Sequence, residues 1–303
     1  MAILTSQKIT EFYERYKGIE VTFTKEIIQV TGLMPQQVHL KCGSDFWPCV
    51  IYSSSFVGAK IVTNLKSGLP EKLRNANNSI SLRYCFKKHD KINPVTFFVS
   101  ARVIKQSRYG DSSDMGIMSI QFTQRSPDDL IEIMGRLLDA NVNSAKRHDE
   151  RVMISDESLR KLNIQTKECA VFIQAVPRRC ILRDISFSGA KIIMIGIAKF
   201  LTEKEVTLRI DFEDPDEKFM IKGKIIRFEK VEGKKELIAL AIQYDENVVP
   251  MGYKIRINEY LGSVRVENRT APADKKSYPG TYNYSNPSFD METVDPAEFS
   301  IPD

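Results

Sequence analysis

The feature that most limits how this chain can fold is that part of it is written twice. The segment Ser55-Phe56-Val57-Gly58-Ala59-Lys60-Ile61-Val62 reads like Ser186-Phe187-Ser188-Gly189-Ala190-Lys191-Ile192-Ile193. Further on, Ala101-Arg102-Val103-Ile104-Lys105 lines up with Gly223-Lys224-Ile225-Ile226-Arg227, and Ser119-Ile120-Gln121-Phe122 with Ala241-Ile242-Gln243-Tyr244. The last two pairings share one register, and the first is displaced from them by a few residues of loop. A repeat this widely spaced implies two copies of one domain, since a solenoid repeats at a far shorter period. The chain has 303 residues, 42% of them hydrophobic, which is enough for two domains with separate cores.

Within each copy the pattern is that of antiparallel β-structure. Short alternating runs punctuated by Gly, Pro and Asn fill the stretch from Ile19 to Phe122, with the clearest strands at Val38 to Cys42, Thr96 to Ile104 and Gly116 to Phe122. In the second copy, strands are expected at Ala170 to Gln174, Ala190 to Ile195, Val206 to Phe212, Phe219 to Phe228 and Leu237 to Tyr244. A short N-terminal helix with Ser6 as its cap would carry Ile9, Phe12 and Tyr13 on one face. Pro127-Asp128-Asp129 opens a longer helix whose apolar stripe is Leu130, Ile131, Met134, Leu137 and Leu138. The segment from Val248 to Leu261 repeats that helix after the second copy. We therefore expect a mainly β protein of two antiparallel β-barrels, each followed by an α-helix. The expected divisions are a first domain over residues 1–140, a polar linker over 141–151, a second domain over 152–262 and a disordered tail over 263–303. The tail is rich in Pro, Ser, Asn and Tyr and has no sustained apolar period. Its Tyr278, Tyr282, Tyr284 and Phe289 read as part of a passive tail, with a docking motif as the alternative.

The residues that carry chemistry lie at the junction and in the second copy. Arg147 and Arg151 bracket Lys146-Arg147-His148-Asp149-Glu150-Arg151, and the chain later reads Asp184-Ile185-Ser186-Phe187-Ser188-Gly189. Guanidinium groups are planar, permanently charged and able to bond phosphate oxygens or the O6/N7 edge of guanine in pairs. A carboxylate at Asp184 can accept from a base N–H, and a hydroxyl at Ser186 can donate or accept. Gly189 is expected at a sharp turn, in a backbone conformation that a Cβ would penalise. The set suits a guanine-containing phosphodiester better than it suits a reaction.

These residues resemble the PilZ domain, a small bacterial β-barrel that binds cyclic di-GMP through RxxxR and (D/N)xSxxG motifs. Arg147 and Arg151 match the first motif, and Asp184, Ser186 and Gly189 the second. A second RxxxR spacing, Arg179 with Arg183, touches the DxSxxG motif directly and so does not match the family's order. The resemblance implies that Arg147 and Arg151 grip the guanine edges and phosphates while Asp184 and Ser186 bond a guanine. Lys146 matches a family position that influences whether one or two ligand molecules bind, and lysine there leaves the stoichiometry open. Residues 152–179 form a longer connection than many family members have, with room for an additional turn near Ser155 to Lys161. The first copy has Ser53 where the second has Asp184, and no RxxxR pair precedes it. It is read as a degenerate, ligand-free PilZ-like domain, as in the spirochaete two-domain PilZ proteins. A ligand held at the 141–151 segment would reorient one domain against the other and signal to a protein partner, with motility or surface behaviour the commonest family setting.

Other classes are weaker on residues. His39, His89 and His148 are too scattered for a metal site or a catalytic triad, and no phosphate-loop or dinucleotide fingerprint occurs, so neither catalysis nor a cofactor is expected. The net charge of +5 admits a nucleic-acid-binding regulator, but basic and acidic residues are interleaved as on an ordinary solvated surface. A structural interaction protein without ligand is the remaining alternative, and all five motif residues speak against it. Cys42, Cys49, Cys85, Cys169 and Cys180 show no zinc-like spacing and are read as reduced, mostly buried thiols, with Cys180 near the site. Nothing near the N-terminus has the length of a signal peptide or membrane span, so a cytoplasmic protein is expected.

Overall fold

Alternation of buried and exposed residues along ten-residue and longer strands closes each copy into its own barrel. The computed structural model describes residues 5–66, 68–88, 92–112, 114–197, 201–231, 233–234 and 236–270. In the first copy, β2 (His39–Cys42), β3 (Asp45–Ser54), β4 (Gly58–Asn64), β5 (Ser79–Phe86), β6 (Val95–Arg108) and β7 (Met115–Phe122) form a closed antiparallel ring in the order β3-β2-β5-β6-β7-β4, β4 pairing back onto β3. In the second, β9 (Glu168–Ile173), β10 (Val176–Ile185), β11 (Gly189–Ile195), β12 (Glu205–Phe212), β13 (Glu217–Lys230) and β14 (Leu237–Tyr244) close in the same way through β10 and β11. Closure leaves no free sheet edge, and inward residues such as Leu40, Ile61 and Leu82, or Val171, Leu208 and Ile221, fill each interior.

The duplication reaches further upstream than the sequence comparison did. A two-residue strand, β1 (Val21–Thr22), pairs with the end of β3, and its equivalent β8 (Val152–Met153) pairs with the end of β10. Each is followed by a seven-residue helix, α2 (Lys25–Thr31) or α5 (Asp156–Leu162). Thr24 caps the first by accepting from Ile27 N and Ser155 the second by accepting from Ser158 N, and both helices end in a left-handed residue, Gly32 or Asn163. A bridge to the barrel follows each time, Leu33 to Phe86 and Ile164 to Phe212. The long connection after the arginine motif is therefore this strand and helix, present in both copies.

Besides α3 (Leu69–Asn75) of the first copy, three further helices flank the barrels: α1 (Ser6–Tyr16), α4 (Asp128–Lys146) and α6 (Met251–Thr270). Thr5, rather than Ser6, caps α1 by accepting from Lys8 N. Phe12 and Tyr16 are its buried residues, packed against α4. Along α6, Met251 and Ile255 lie against the first core while Tyr253, Ile257 and Leu261 belong to the second. Two i,i+4 pairs offset by two residues point to opposite sides of a helix, so α6 serves both domains.

Helices run across two of the expected divisions. The polar stretch read as a linker begins inside α4, which continues to Lys146. Its polarity misleads because Asn143 is buried, donating to Asp139 (3.0 Å) and to Asn258 of α6 (2.8 Å). Asn258 in turn donates to Asp139 (2.9 Å), and Tyr16 donates to the other Asp139 oxygen (2.8 Å). The region read as tail begins inside α6, which passes Leu261 and runs to Thr270, a stretch with no proline between Pro250 and Pro272 to break it. Residues 271–303, with Tyr278, Tyr282, Tyr284 and Phe289, lie outside the described residues, as does His89. Among the described residues, no helix is long and apolar enough to cross a membrane.

Candidate ligand-binding site

The site forms where the last turn of α4 meets the β10–β11 hairpin of the second barrel. Arg147 is the C-cap of α4, its N–H donating to Asn143 O at 2.8 Å, and Glu150 N donates back to Arg147 O at 3.1 Å. This turn carries the chain into β8, whose pairing sets Val152 opposite Ile185 and Met153 opposite Asp184. Arg151, the residue before β8, is thereby held beside Asp184, and its guanidinium donates to the Asp184 carboxylate. Asp184 is 7% exposed at its side chain and Arg151 42%, so the carboxylate is fixed in the wall while the cation faces solvent. Lys146 ends α4 and is exposed; Arg147 is half-buried.

A bulge between Leu182 and Asp184 breaks the β10–β11 register. The hairpin that follows is organised by Ser186. Its hydroxyl accepts from Gly189 N (3.1 Å) and Ser188 N (3.3 Å), its backbone N–H donates to Gly189 O (2.8 Å), and Tyr253 of α6 donates to its carbonyl (2.8 Å). Burial drives the Tyr253 hydroxyl well above the ordinary tyrosine value, so it stays protonated and donating. Ser186 is fully buried and its hydroxyl is engaged within the turn. Gly189 is needed for closeness and not for a left-handed conformation: it has no positive φ, and a Cβ there would lie 2.3 Å from Ile242 O of β14. Gly58 stands in the same relation to Ile120 O, at 2.5 Å.

Two functional contacts were not singled out from sequence. Ser188 donates to His148 O at 2.8 Å, pinning the arginine loop to the hairpin. The His148 ring bonds Glu246 (2.6 Å) and Asp149 (3.2 Å), and these hydrogen bonds, Glu246 first, raise its pKa above the ordinary histidine value. The motif spacing hinted at the first, since Ser188 lies inside it; the second joins residues 98 apart and has no sequence signal. Cys180 is buried with its sulfur 3.3 Å from that of Cys169, and the contact with this neighbour, then burial, push its thiol up, away from reactivity at neutral pH. Among the described residues no cluster of metal-ligating side chains occurs. The arrangement offers two arginines and a fixed carboxylate around one stretch of outer barrel wall, which suits a ligand with anionic groups and an N–H edge.

Residues 7–141 match the PilZN3 domain and residues 146–261 the PilZ domain. The chain is 46% identical over 266 residues to a Treponema denticola protein described as a cyclic di-GMP binding protein, across 88% of this chain and 85% of the relative. Among solved structures it is similar to the Borreliella burgdorferi PlzA protein in complex with c-di-GMP, with 25% identity, a TM-score of 0.39, and 85% of this chain and 99% of that one covered. It is also similar to the Bacillus subtilis inhibitor of motility MotI/DgrA, with 13% identity, a TM-score of 0.30, and 78% and 99% covered. The chain belongs to the PilZ family, with a PilZN3 domain followed by a PilZ domain.

Proposed function

We propose that this protein is a cyclic di-GMP receptor whose ligand lies on the second barrel between the arginine turn and the β10–β11 hairpin. The observation that carries the reading is the Arg151 and Asp184 pair, held at the mouth of the wall by β8, with Arg147 four residues upstream. Arg147 and Arg151 are assigned the phosphates and guanine edges, and Asp184 a guanine N–H. Gly189 and Ser186 are assigned the shape of the turn, and Lys146 a place at the rim. The description of the Treponema denticola relative as a cyclic di-GMP binding protein supports the choice of ligand.

Ligand binding would pull the 147–151 turn away from its ties to Ser188 and Glu246. That turn ends α4, which shares the Asp139, Asn143 and Asn258 network with α6, so a shift there would reach both domains. In this reading the protein is a non-enzymatic effector in the cytoplasm that signals to a protein partner, with motility or surface behaviour as its setting.

The test is calorimetric titration of cyclic di-GMP into wild type, Arg147→Ala, Arg151→Ala and Asp184→Ala, with Glu20→Ala in the first barrel as control. Wild type should bind saturably. Each second-barrel variant should lose about a hundredfold in affinity, the value of a charge-assisted bond or two, while the control is unchanged. Cyclic di-AMP should compete poorly. Absence of heat and of thermal stabilisation with wild type would refute the reading, whereas binding that falls steeply with salt and survives loss of one arginine would indicate a polyanionic nucleic acid instead.

A further inference from the structure

The two barrels carry the same lysine one strand away from the candidate site, and the first barrel shows what it can reach. Lys60 stands opposite Ser53 across β3 and β4, and Lys191 stands opposite Asp184 across β10 and β11. Glu20 precedes β1 as Arg151 precedes β8. In the first barrel the Glu20 carboxylate therefore occupies the space bounded by these positions, accepting from Ser53 Oγ and, at 2.9 Å, from Lys60 Nζ. The chain itself thus places an anion at the equivalent of the Arg151 position, and a lysine at the equivalent of Lys191 bonds it. The Ser53 hydroxyl, then Lys60, hold Glu20 below the usual carboxylate pKa, so this anion stays charged.

In the second barrel the corresponding space lies beside Arg151 and Asp184, and Lys191 is turned the other way. Its ammonium donates to Glu229 of β13 at 2.6 Å, and its side chain is 17% exposed. The strand registers put Ser107 where Glu229 stands, so at that position the first barrel has a hydroxyl in place of the carboxylate. We propose that Lys191 is a further ligand-contacting residue: it leaves Glu229 and donates to a phosphate oxygen of the ligand at Arg151, as Lys60 donates to Glu20. A lysine suits the move, being a point charge on a flexible stem with three rotatable donors. Glu229 then competes with the ligand for Lys191 and sets the affinity. This inference rests on the function proposed above.

Titration of cyclic di-GMP against wild type, Lys191→Met, Lys191→Arg, Glu229→Gln and Arg151→Ala tests it, with melting temperatures of the ligand-free proteins recorded alongside. Lys191→Met should weaken binding about tenfold with little change in ligand-free stability, Lys191→Arg should keep most of the affinity, and Glu229→Gln should tighten binding by about threefold. If Arg151→Ala abolishes binding while Lys191→Met binds like wild type, the proposal for Lys191 falls and the receptor reading stands. Weakening by Glu229→Gln as large as by Lys191→Met would mark the pair as a structural tie and also overturn it. A wild type that does not bind removes both.

Discussion

Position by position, the first barrel has the second barrel's wall without its clamps. Gly58 and Gly189, Lys60 and Lys191, and Gln121 and Gln243 occupy equivalent places in the two strand registers, and Phe56 and Phe187 stand two residues before the paired glycines. Around them the chemistry inverts. Ser53 replaces Asp184, Val57 replaces Ser188, and Glu20 replaces Arg151. Tyr16, four residues before Glu20, stands where Arg147 stands, and it is buried against α4 with its hydroxyl on Asp139. Outside the site, β3 presents Phe46, Pro48, Val50 and Tyr52 to solvent, whereas the matching positions of β10 are Pro177, Arg179, Ile181 and Arg183. Apart from the paired lysines, the residues common to both barrels are those that make a barrel. Those that differ decide whether an anion can be held, and in the first barrel an anion of the chain's own already lies there.

The sharpest way to break this comparison is through the paired glycines. If Gly58 and Gly189 both exist to let β7 or β14 approach, Gly58→Ala and Gly189→Ala should each destabilise the protein by about 3 kcal/mol in denaturant titrations, because a Cβ would meet a backbone carbonyl at 2.5 Å or 2.3 Å. A silent Gly58→Ala beside a damaging Gly189→Ala would mean that the glycine belongs to the site and not to the barrel. Next in size is the network that turns Tyr16 into a structural residue. Asp139→Ala leaves the Tyr16 hydroxyl and two buried amides short of an acceptor and should cost about 2 kcal/mol; Tyr16→Phe, which removes one bond, should cost about 1 kcal/mol. Full stability of Tyr16→Phe would show that position 16 is a lost ligand residue with no new employment.

These residues also mark where the sequence could be read and where it could not. Duplication, strand periodicity and the DxSxxG run gave the two barrels and the hairpin, because each is a local pattern with a fixed period. Asn143 read as linker because a polar residue in a polar run looks solvated; its partners, Asp139 on the same helix and Asn258 on α6, are visible only once the helices pack. The αL caps Gly32 and Asn163 differ in residue type, so the upstream part of the duplication, which is plain in backbone geometry, left little trace in identity. The motif marks Ser186 as a polar residue of the hairpin, but the bonds its hydroxyl accepts from Ser188 N and Gly189 N are visible only in the folded turn.

The smallest expected effect separates the two loops that precede the barrels. His148 in the second corresponds to Lys17 in the first, and Lys17 pairs with Glu14 at 3.0 Å. Histidine is the side chain whose charge changes near neutral pH. Glu246, then Asp149, raises the His148 pKa, so the protonated ring is favoured in the folded state. The stabilisation is complete below the unfolded value of about 6.5 and disappears as pH rises through the higher folded value. Since the ring is 37% exposed, the effect should be about 0.5 kcal/mol or less. Denaturant midpoints measured across that window should fall slightly with rising pH in wild type and less in Glu246→Gln, where Asp149 alone remains. Lys17→Met should leave the slope as it is, and a slope that vanished with Lys17 would assign the pH dependence to the wrong barrel.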